Sequence, residues 1–291
     1  MNARTMLAMP AHVDTRSAAQ TLRRFVPPVL AELVARSRSG WRYVGPAWPA
    51  PYESGWHDQS VAESQMRHWP FLVDATAGRG PLGVSHFPWR NTVDEPADQN
   101  IVASFGYVLA LTALAAGGPI SLLDWGGGLG HYRLYASALL PRVPVEYHCF
   151  DLPGIVAAGR KLQPEAHFHT SEREIGDRSF DLVVCSSALH YAQDWPATLA
   201  VLAKTARRFL YVARLQSVER SRSFVVEQAP DVYQRPYVSW FVNRGEFVER
   251  ATACGLRLER EFVYDERWFV RGATEQGRSW GFLLSRTEAA S

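Results

Sequence analysis

Lysine is almost absent from this chain of 291 residues, in which Lys161 and Lys204 are the only two. Arginine supplies nearly all of the positive charge, and the formal net charge is only +2. No stretch of the sequence concentrates arginine into a basic block. The basic stripe that follows a phosphate backbone is therefore missing, and we expect no nucleic acid partner.

Cysteine is also scarce, and Cys149, Cys185 and Cys254 lie far apart in the sequence. The first two stand in apolar, strand-like runs, where a free thiol packs as a small hydrophobic group. An odd number at this spacing predicts neither a disulfide framework nor a cysteine metal site. His167 and His169 alternate along one short segment, but no third ligand follows at a suitable spacing. No metal site is predicted there.

Long hydrophobic segments are equally rare. The N-terminus lacks the apolar core of a signal peptide. The longest apolar stretch, residues 101–118, contains polar residues at intervals and ends in two glycines. It predicts a buried helix and not a membrane span. These features predict a reduced, soluble, cytoplasmic protein without a membrane partner.

From about residue 120 onwards, short apolar runs alternate with segments of helical spacing. Strands are predicted at 120–125, 145–151, 166–170, 180–187 and 208–214, with helices at 131–140, 153–162 and 195–208. Such alternation predicts parallel strands with helices on both faces of the sheet. Two final strands, 257–264 and 279–285, are expected to form an antiparallel edge. Asn243 and Glu246 predict a capping box at the start of the helix that precedes these two strands. Gly255 is expected to end that helix.

The first 98 residues follow no such rhythm and are predicted to form a separate cap region. Residues 25–37 have helical spacing, and Ser60 with Glu63 suggests the start of a second helix that runs to Met66. Residues 40–56 are crowded with aromatic residues, proline and glycine and show little regular pattern. We expect this region to cover a pocket in the second domain, residues 99–291.

Four glycines follow the first predicted strand in the segment LLDWGGGLG, residues 122–130. A strand, a glycine-rich turn and a helix in this order bring a nucleotide to a helix N-terminus. The dinucleotide pattern G-x-G-x-x-G, read from Gly126, requires a small residue at the position of His131. The pattern that fits has an acidic residue before the glycines, Asp124. A carboxylate is a poor neighbour for a pyrophosphate and a good one for a cation.

This spacing resembles the first motif of class I S-adenosylmethionine-dependent methyltransferases. The fold resemblance covers roughly residues 100–286 and implies a Rossmann-like, seven-stranded, mostly parallel sheet with helices on both faces and an antiparallel edge strand. At finer grain, LLDWGGGLGHY with GWRYVGPAW upstream and RPYVSWFVNRGEF downstream resembles a family of bacterial methyltransferases defined mainly by sequence. The fifth strand departs from the pattern, because ARLQSV has no acidic residue before Arg214, so no role is assigned to that arginine.

The resemblance implies where S-adenosylmethionine binds. Asp124 and the glycine backbone would surround its methionine portion, and Asp151, which ends the second strand 21 residues after Gly130, would accept hydrogen bonds from both ribose hydroxyls. Asp151 could also cap the following helix. The full set of expected cofactor-binding residues is Asp124, Trp125, Gly126, Gly127, Gly128, Gly130, Asp151, Leu152, Thr170, Ser171, Cys185, Ser186 and Tyr107.

Candidates for catalysis and acceptor binding follow the fourth strand and the segment 232–241. His190 is expected to be the general base, because it follows that strand on the cofactor side and an imidazole titrates near neutral pH. Tyr191 is a further candidate. Aromatic residues could wall an apolar acceptor, although packing around an inserted helix explains them equally well. The expected acceptor-site residues are His131, Tyr233, Tyr237 and Trp240.

The expected function is methyl transfer to an oxygen or nitrogen of a small aromatic or apolar metabolite, with specialised metabolism as the setting. The turn after the fourth strand, residues 186–189, lacks the prolines common in enzymes that methylate nucleic acid bases. Two alternatives stay open: a methyltransferase fold that acts without methylating or serves as a partner subunit, and a nicotinamide-dependent oxidoreductase. Related proteins dimerise through helical N-terminal segments, so a homodimer is one expectation.

Overall fold

The computed structural model describes residues 39–50, 59–84, 91–229 and 236–287, which form eleven strands and seven helices. From residue 40 these residues belong to one unit, Gly40–Ser291. The predicted helix at 25–37 lies outside the described residues. The unit includes the strand Trp41–Gly45 and the helix Gln59–Ala77 of the region before residue 98, whose assignment as a separate domain stays a prediction.

Seven strands form the main sheet, which is mostly parallel. These strands are β2 Ile120–Trp125, β3 Val145–Phe150, β4 His167–His169, β5 Phe180–Ser186, β6 Ala206–Val218, β9 Leu256–Trp268 and β11 Gly277–Arg286. Their order across the sheet is β4–β3–β2–β5–β6–β11–β9, and β11 runs antiparallel to the other six. The Rossmann-like α/β prediction is therefore confirmed, although the antiparallel strand lies one place inside the edge.

The central strands are apolar because both faces of the sheet are covered. Phe180–Cys185 of β5 are all buried, and Leu182–Cys185 form the continuous apolar run typical of a parallel strand between two helical layers. One helical layer packs against Leu122, Val184 and Tyr211. The other packs against Leu123, Val183 and Leu210, the neighbouring residues that point to the opposite face. The period of two thus places a separate core on each face.

The helices begin and end where local chemistry dictates. They are α1 Gln59–Ala77, α2 Pro96–Ala116, α3 His131–Leu139, α4 Pro153–Leu162, α5 Glu172–Ile175, α6 Trp195–Thr205 and α7 Arg244–Ala253. Proline opens α2, and Gly117 ends it with a φ of 67°. Asn243 accepts a hydrogen bond from the Glu246 N–H, but the Glu246 carboxylate binds the Ser223 hydroxyl. The predicted capping box is therefore half formed.

Helix α2 is the one helix among the described residues that is long and apolar enough to cross a membrane. Ile101, Phe105, Val108 and Leu109 on this helix are fully buried. The helix packs against β9, β6 and β5 of the sheet. Its apolar sequence therefore serves the core, as the polar residues within it predicted.

A smaller group of four strands extends the main sheet. It consists of β1 Trp41–Gly45, β7 Phe224–Gln228, β8 Tyr237–Asn243 and β10 Val270–Arg271. β7 and β8 form an antiparallel pair, and β8 joins β6 at Ser217 and Val218. Two interpretations are corrected here, because residues 41–45 form a strand and residues 237–243 are not an inserted helix. Trp41, Phe224 and Phe241 supply a local aromatic core.

Candidate active site

The glycine-rich turn connects β2 to α3 at the carboxyl edge of the sheet. The strand order reverses here, since β2 pairs with β3 on one side and with β5 on the other. Such a switch point opens a crevice for a ligand. Gly126, Gly128 and Gly130 have φ values of 71°, 60° and 88°, which side chains with a Cβ rarely adopt. The turn therefore requires glycine for its backbone shape.

Close approach adds a second requirement at the turn. A Cβ at Gly126 would lie 2.4 Å from the Cβ of Ala188, in the loop after β5. A Cβ at Gly127 would lie 2.4 Å from Cγ of Asp124. The turn therefore packs closely between the Asp124 side chain and the loop that follows β5.

Asp151 fixes the turn from the neighbouring strand. Its Oδ2 accepts a hydrogen bond from the Gly128 N–H at 2.7 Å, and its Oδ1 accepts one from the Leu152 N–H at 2.7 Å. Burial raises the pKa of Asp151, and the two N–H donors act against that rise. Each oxygen of an ionised carboxylate can accept more than one hydrogen bond, so both keep acceptor capacity. Asp151 lines a cavity and can receive two further donors there.

This cavity has a volume of about 520 Å³, within the range of small-molecule sites. Trp125 and Phe150 stack on each other in its wall, with ring centroids 4.0 Å apart. Thr170 lines it after β4, where its hydroxyl and N–H bind the Glu174 carboxylate. The predicted residues that line it are Trp125, Gly126, Gly127, Gly128, Asp151, Leu152, Thr170, Ser186, Tyr191 and His131.

Helix α1 forms part of the cavity wall. Val61, Gln65, His68 and Leu72, spaced three or four residues apart, all line the cavity. The described part of the region before residue 98 therefore contributes to the pocket, as its composition predicted. Sequence reasoning did not single out these residues, although their helical spacing was a usable signal. Helix α1 also continues beyond Met66, the predicted end, to Ala77.

Asp124 does not line the cavity and lies beneath the turn. It is 1% exposed, and Tyr147 donates a hydrogen bond to its Oδ2 at 2.5 Å. Its Oδ1 has no partner among the described residues. Burial raises the pKa of this carboxyl to about 7. Asp151, and not Asp124, is therefore the carboxylate on the cavity wall, and contact of Asp124 with a ligand stays a prediction.

His190 lies in a buried turn, Leu189–Tyr191, and is absent from the cavity wall. Its ring packs beside Tyr191, with centroids 4.2 Å apart, and neither ring nitrogen has a hydrogen-bond partner within the described part of the chain. Burial lowers the pKa of His190 to about 3, and the Arg214 charge adds to this effect. The geometry does not support His190 as a general base. Tyr191 does line the cavity.

Several other predicted residues are placed away from the cavity wall. Tyr107 is exposed on α2 and packs near Phe262. Tyr237 packs near Tyr191 behind the wall, and the Trp240 indole N–H donates to the Gln193 carbonyl. Tyr233 lies outside the described residues. The predicted site residues that do not line the cavity are Asp124, Gly130, Ser171, Cys185, Tyr107, His190, Tyr237 and Trp240.

His131 opens helix α3 and lines the cavity beside α1. Its Nδ1 is 3.5 Å from the Gly127 carbonyl, and its ring meets the Trp69 ring edge to face. Burial lowers the pKa of His131 to about 4, so the ring is neutral at pH 7. When Nδ1 carries the proton towards Gly127, Nε2 is a hydrogen-bond acceptor.

Arg214 is a wall residue to which the sequence assigned no role. It lies within β6 with a φ of 51°, and Ser187, the residue directly after the adjacent strand β5, has a φ of 53°. The guanidinium forms a two-pronged ion pair with Glu266, at 3.2 and 2.6 Å. Burial alone would lower the pKa of Arg214, but the charge of Glu266 raises it. Arg214 and Ser187 both line the cavity, and the missing signal was the acidic partner, 52 residues away.

Known proteins resemble the chain in fold and little in sequence. No protein-family profile and no curated sequence matches it. Magnesium protoporphyrin IX methyltransferase from Synechocystis, solved with S-adenosylhomocysteine, is 15% identical over 79% of this chain and 100% of its own, with a TM-score of 0.45. The 1,6-didemethyltoxoflavin-N1-methyltransferase of Burkholderia thailandensis, solved with S-adenosylhomocysteine and its substrate, is 18% identical over 84% and 96%, with a TM-score of 0.45. At these values the likenesses assign no activity to this chain.

Proposed function

We propose that this chain binds S-adenosylmethionine in the cavity and transfers its methyl group to an oxygen or nitrogen of a small metabolite. The proposal depends mainly on the position of Asp151. Its carboxylate lies on the cavity wall, accepts hydrogen bonds from two backbone N–H groups and stands beside a turn in which three glycines have positive φ. A ribose offers two adjacent hydroxyl donors, which the remaining acceptor capacity of the two carboxylate oxygens matches. Asp151 stands at the end of the second strand of the sheet, where this class of fold binds a ribose.

The wall also fits the other parts of this cofactor. Trp125, Phe150 and Leu152 supply apolar surface beside Asp151 that suits a purine ring. The carboxyl of Asp124 beneath the turn has one orphaned oxygen, Oδ1, which a cationic amino group could satisfy if the turn opened by a small amount. A pyrophosphate would instead lie beside Asp151 with no positively charged residue of the turn to balance it. The residues present therefore fit S-adenosylmethionine better than a dinucleotide.

When bound, the sulfonium supplies an activated methyl carbon for in-line displacement by the acceptor atom. The chain's own task is to hold the acceptor in line and to exclude water. Helix α1 provides apolar surface for this purpose through Val61 and Leu72, with Gln65 and His131 as polar contacts. Neutral His131 can accept a hydrogen bond from an acceptor hydroxyl or amine. This mixture favours a small aromatic or apolar acceptor with one polar group.

No strong base is required by this proposal. An amine that is neutral at pH 7, or a phenol that ionises easily, can attack without a residue of matched pKa. His131, with its pKa near 4, acts by orientation in this account. Acceptor oxygens of high pKa, such as simple aliphatic alcohols, are therefore expected to be poor substrates.

A direct test uses the full-length chain with S-adenosylmethionine and a panel of small phenols, aromatic amines and aliphatic alcohols. Mass spectrometry would detect S-adenosylhomocysteine and the methylated product together. We expect turnover with at least one phenol or aromatic amine, and its loss in Asp151→Asn. Saturable cofactor binding without product from any class would contradict methyl transfer and favour the non-methylating alternative.

A further inference from the structure

Four metal-ligating side chains lie on one face of the main sheet at its free β4 edge. Glu146 and His148 are two residues apart on β3, and His167 and His169 are two residues apart on β4. Residues spaced by two point to the same face of a strand. The parallel register pairs His148 with His167 directly. Tyr147, Cys149 and Phe168 point to the opposite face, where they belong to one of the cores.

Three of these residues bring their ligand atoms close together. One donor atom from each of Glu146, His148 and His167 lies within 4.8 Å of the other two. Nε2 of His148 is 3.0 Å from Oε1 of Glu146. Two atoms bound to one Zn²⁺ at about 2.1 Å lie about 3.4 Å apart in a tetrahedron. Side-chain rotation that moves the ligand atoms of the exposed Glu146 and His167 by about 1 Å would therefore bring all three atoms within bonding distance of one ion.

The other nitrogen of His148 has the partner that a metal ligand requires. Its Nδ1 is 2.9 Å from Nε2 of His169, and the two rings are nearly coplanar, at 3°. Nδ1 of His169 is in turn 4.0 Å from Oε2 of Glu174. An ionised carboxylate can only accept, so Nε2–H of His148 donates to Glu146 here and Nδ1 accepts from Nε2–H of His169. A metal ion bound to Nε2 would displace that proton. With His169 in its Nδ1–H tautomer, Nδ1–H of His148 would then donate to Nε2 of His169. Ligating histidines are commonly oriented by such a bond from their second nitrogen.

We propose that Glu146, His148 and His167 bind one divalent transition-metal ion, with His169 orienting His148. Two imidazoles and one carboxylate suit Zn²⁺, and a tetrahedral ion would complete its shell with water. The expectation of no metal site considered β4 alone. The other two ligands are on the neighbouring strand β3, and the parallel register of the two strands places them beside His167.

The ion would fasten the short strand β4 to β3. β4 has only three residues, and its His169 carbonyl accepts a hydrogen bond from the Asp151 N–H at 3.2 Å. Thr170, a cavity residue, follows directly. The metal would stabilise the folded chain, because binding to the native state alone raises its stability. The site lies apart from the cavity wall, so its occupancy can be tested without reference to methyl transfer.

The test is equilibrium dialysis of the full-length, tag-free protein against Zn²⁺, with metal content and melting temperature measured together. We expect one ion per chain and a higher melting temperature with Zn²⁺. His167→Asn and Glu146→Gln change exposed side chains, so the fold should persist. We expect about a 100-fold loss of Zn²⁺ affinity in His167→Asn and about a tenfold loss in Glu146→Gln.

Glu165→Gln is the matched control, because Glu165 is an exposed carboxylate that pairs with Arg133 near the same edge. Its Zn²⁺ affinity should equal that of the unchanged chain. Absence of saturable binding by the unchanged chain would overturn the proposal. A loss of less than about tenfold in His167→Asn would also overturn it, because the ion would then be held elsewhere.

Discussion

Replacing Asp151 with asparagine should weaken cofactor binding far more than it weakens the fold. The carboxylate oxygens already accept the Gly128 and Leu152 N–H groups, each at 2.7 Å. An asparagine has only one acceptor oxygen, so its NH₂ group must meet either a backbone N–H or a ribose hydroxyl. Hydrogen bonds to a charged group contribute about 1.5–3 kcal/mol each. Loss of one such hydrogen bond and weakening of another reduce the binding free energy by about 3 kcal/mol, which is roughly a 100-fold rise in Kd.

Isothermal titration with S-adenosylhomocysteine measures this change, and Asp181→Asn is the control. Asp181 is a buried carboxylate of β5 that binds Ser121, Arg207 and Arg208 away from the cavity. Its replacement should lower stability by about 1–3 kcal/mol and leave Kd within twofold. If Asp151→Asn changed Kd by less than fivefold, or if both variants changed it equally, the assignment of Asp151 to the ribose would be refuted.

Three further predictions test the turn and its surroundings. Gly126→Ala should lower the melting temperature, because its φ is positive and its Cβ would meet Ala188. Ala188→Gly should restore part of that loss, whereas Gly118→Ala, with open space around its Cβ, should have little effect. Burial raises the pKa of Asp124 from 3.8 to about 7. The unfolded chain therefore releases this proton at lower pH than the folded chain does. The contribution of Asp124 to the free energy of unfolding falls as the pH rises from about 4 to about 7. Urea unfolding should therefore show Asp124→Asn gaining up to roughly 4 kcal/mol relative to the unchanged chain between pH 4 and pH 7, and a constant difference would contradict the shift. His190→Leu removes two unpartnered buried nitrogens and should be neutral or stabilising by about 1 kcal/mol, with unchanged turnover. A large loss of turnover would restore His190 as the base.

The sheet was predictable because its strands carry their own signals. The apolar runs of β2 and β5 and the glycine turn between β2 and α3 follow directly from local sequence. The smaller group of strands was missed because β1 and β10 are short and acquire their hydrogen bonds from partners far along the chain. Residues 41 and 270, for example, are paired in the structure. Such long-range pairing leaves no periodic trace within either segment.

The cavity was predicted only where local sequence determines position. Asp151 and the glycines were identified because strand ends meet at one edge of a parallel sheet. Asp124 and His190 do not line the cavity, because the direction of a side chain, and not its sequence position, decides whether it reaches a cavity. Asp124 points beneath the turn towards Tyr147, and His190 packs inwards beside Tyr191. The ion pair of Arg214 and Glu266 joins β6 to β9 and depends entirely on tertiary structure.

The most direct measurement is a pair of titrations of the full-length chain, one with S-adenosylhomocysteine and one with NADH, under identical conditions. We predict one saturable site for S-adenosylhomocysteine and no saturable binding of NADH. Saturation by NADH, or failure of S-adenosylhomocysteine to bind at all, would contradict the account of the cavity.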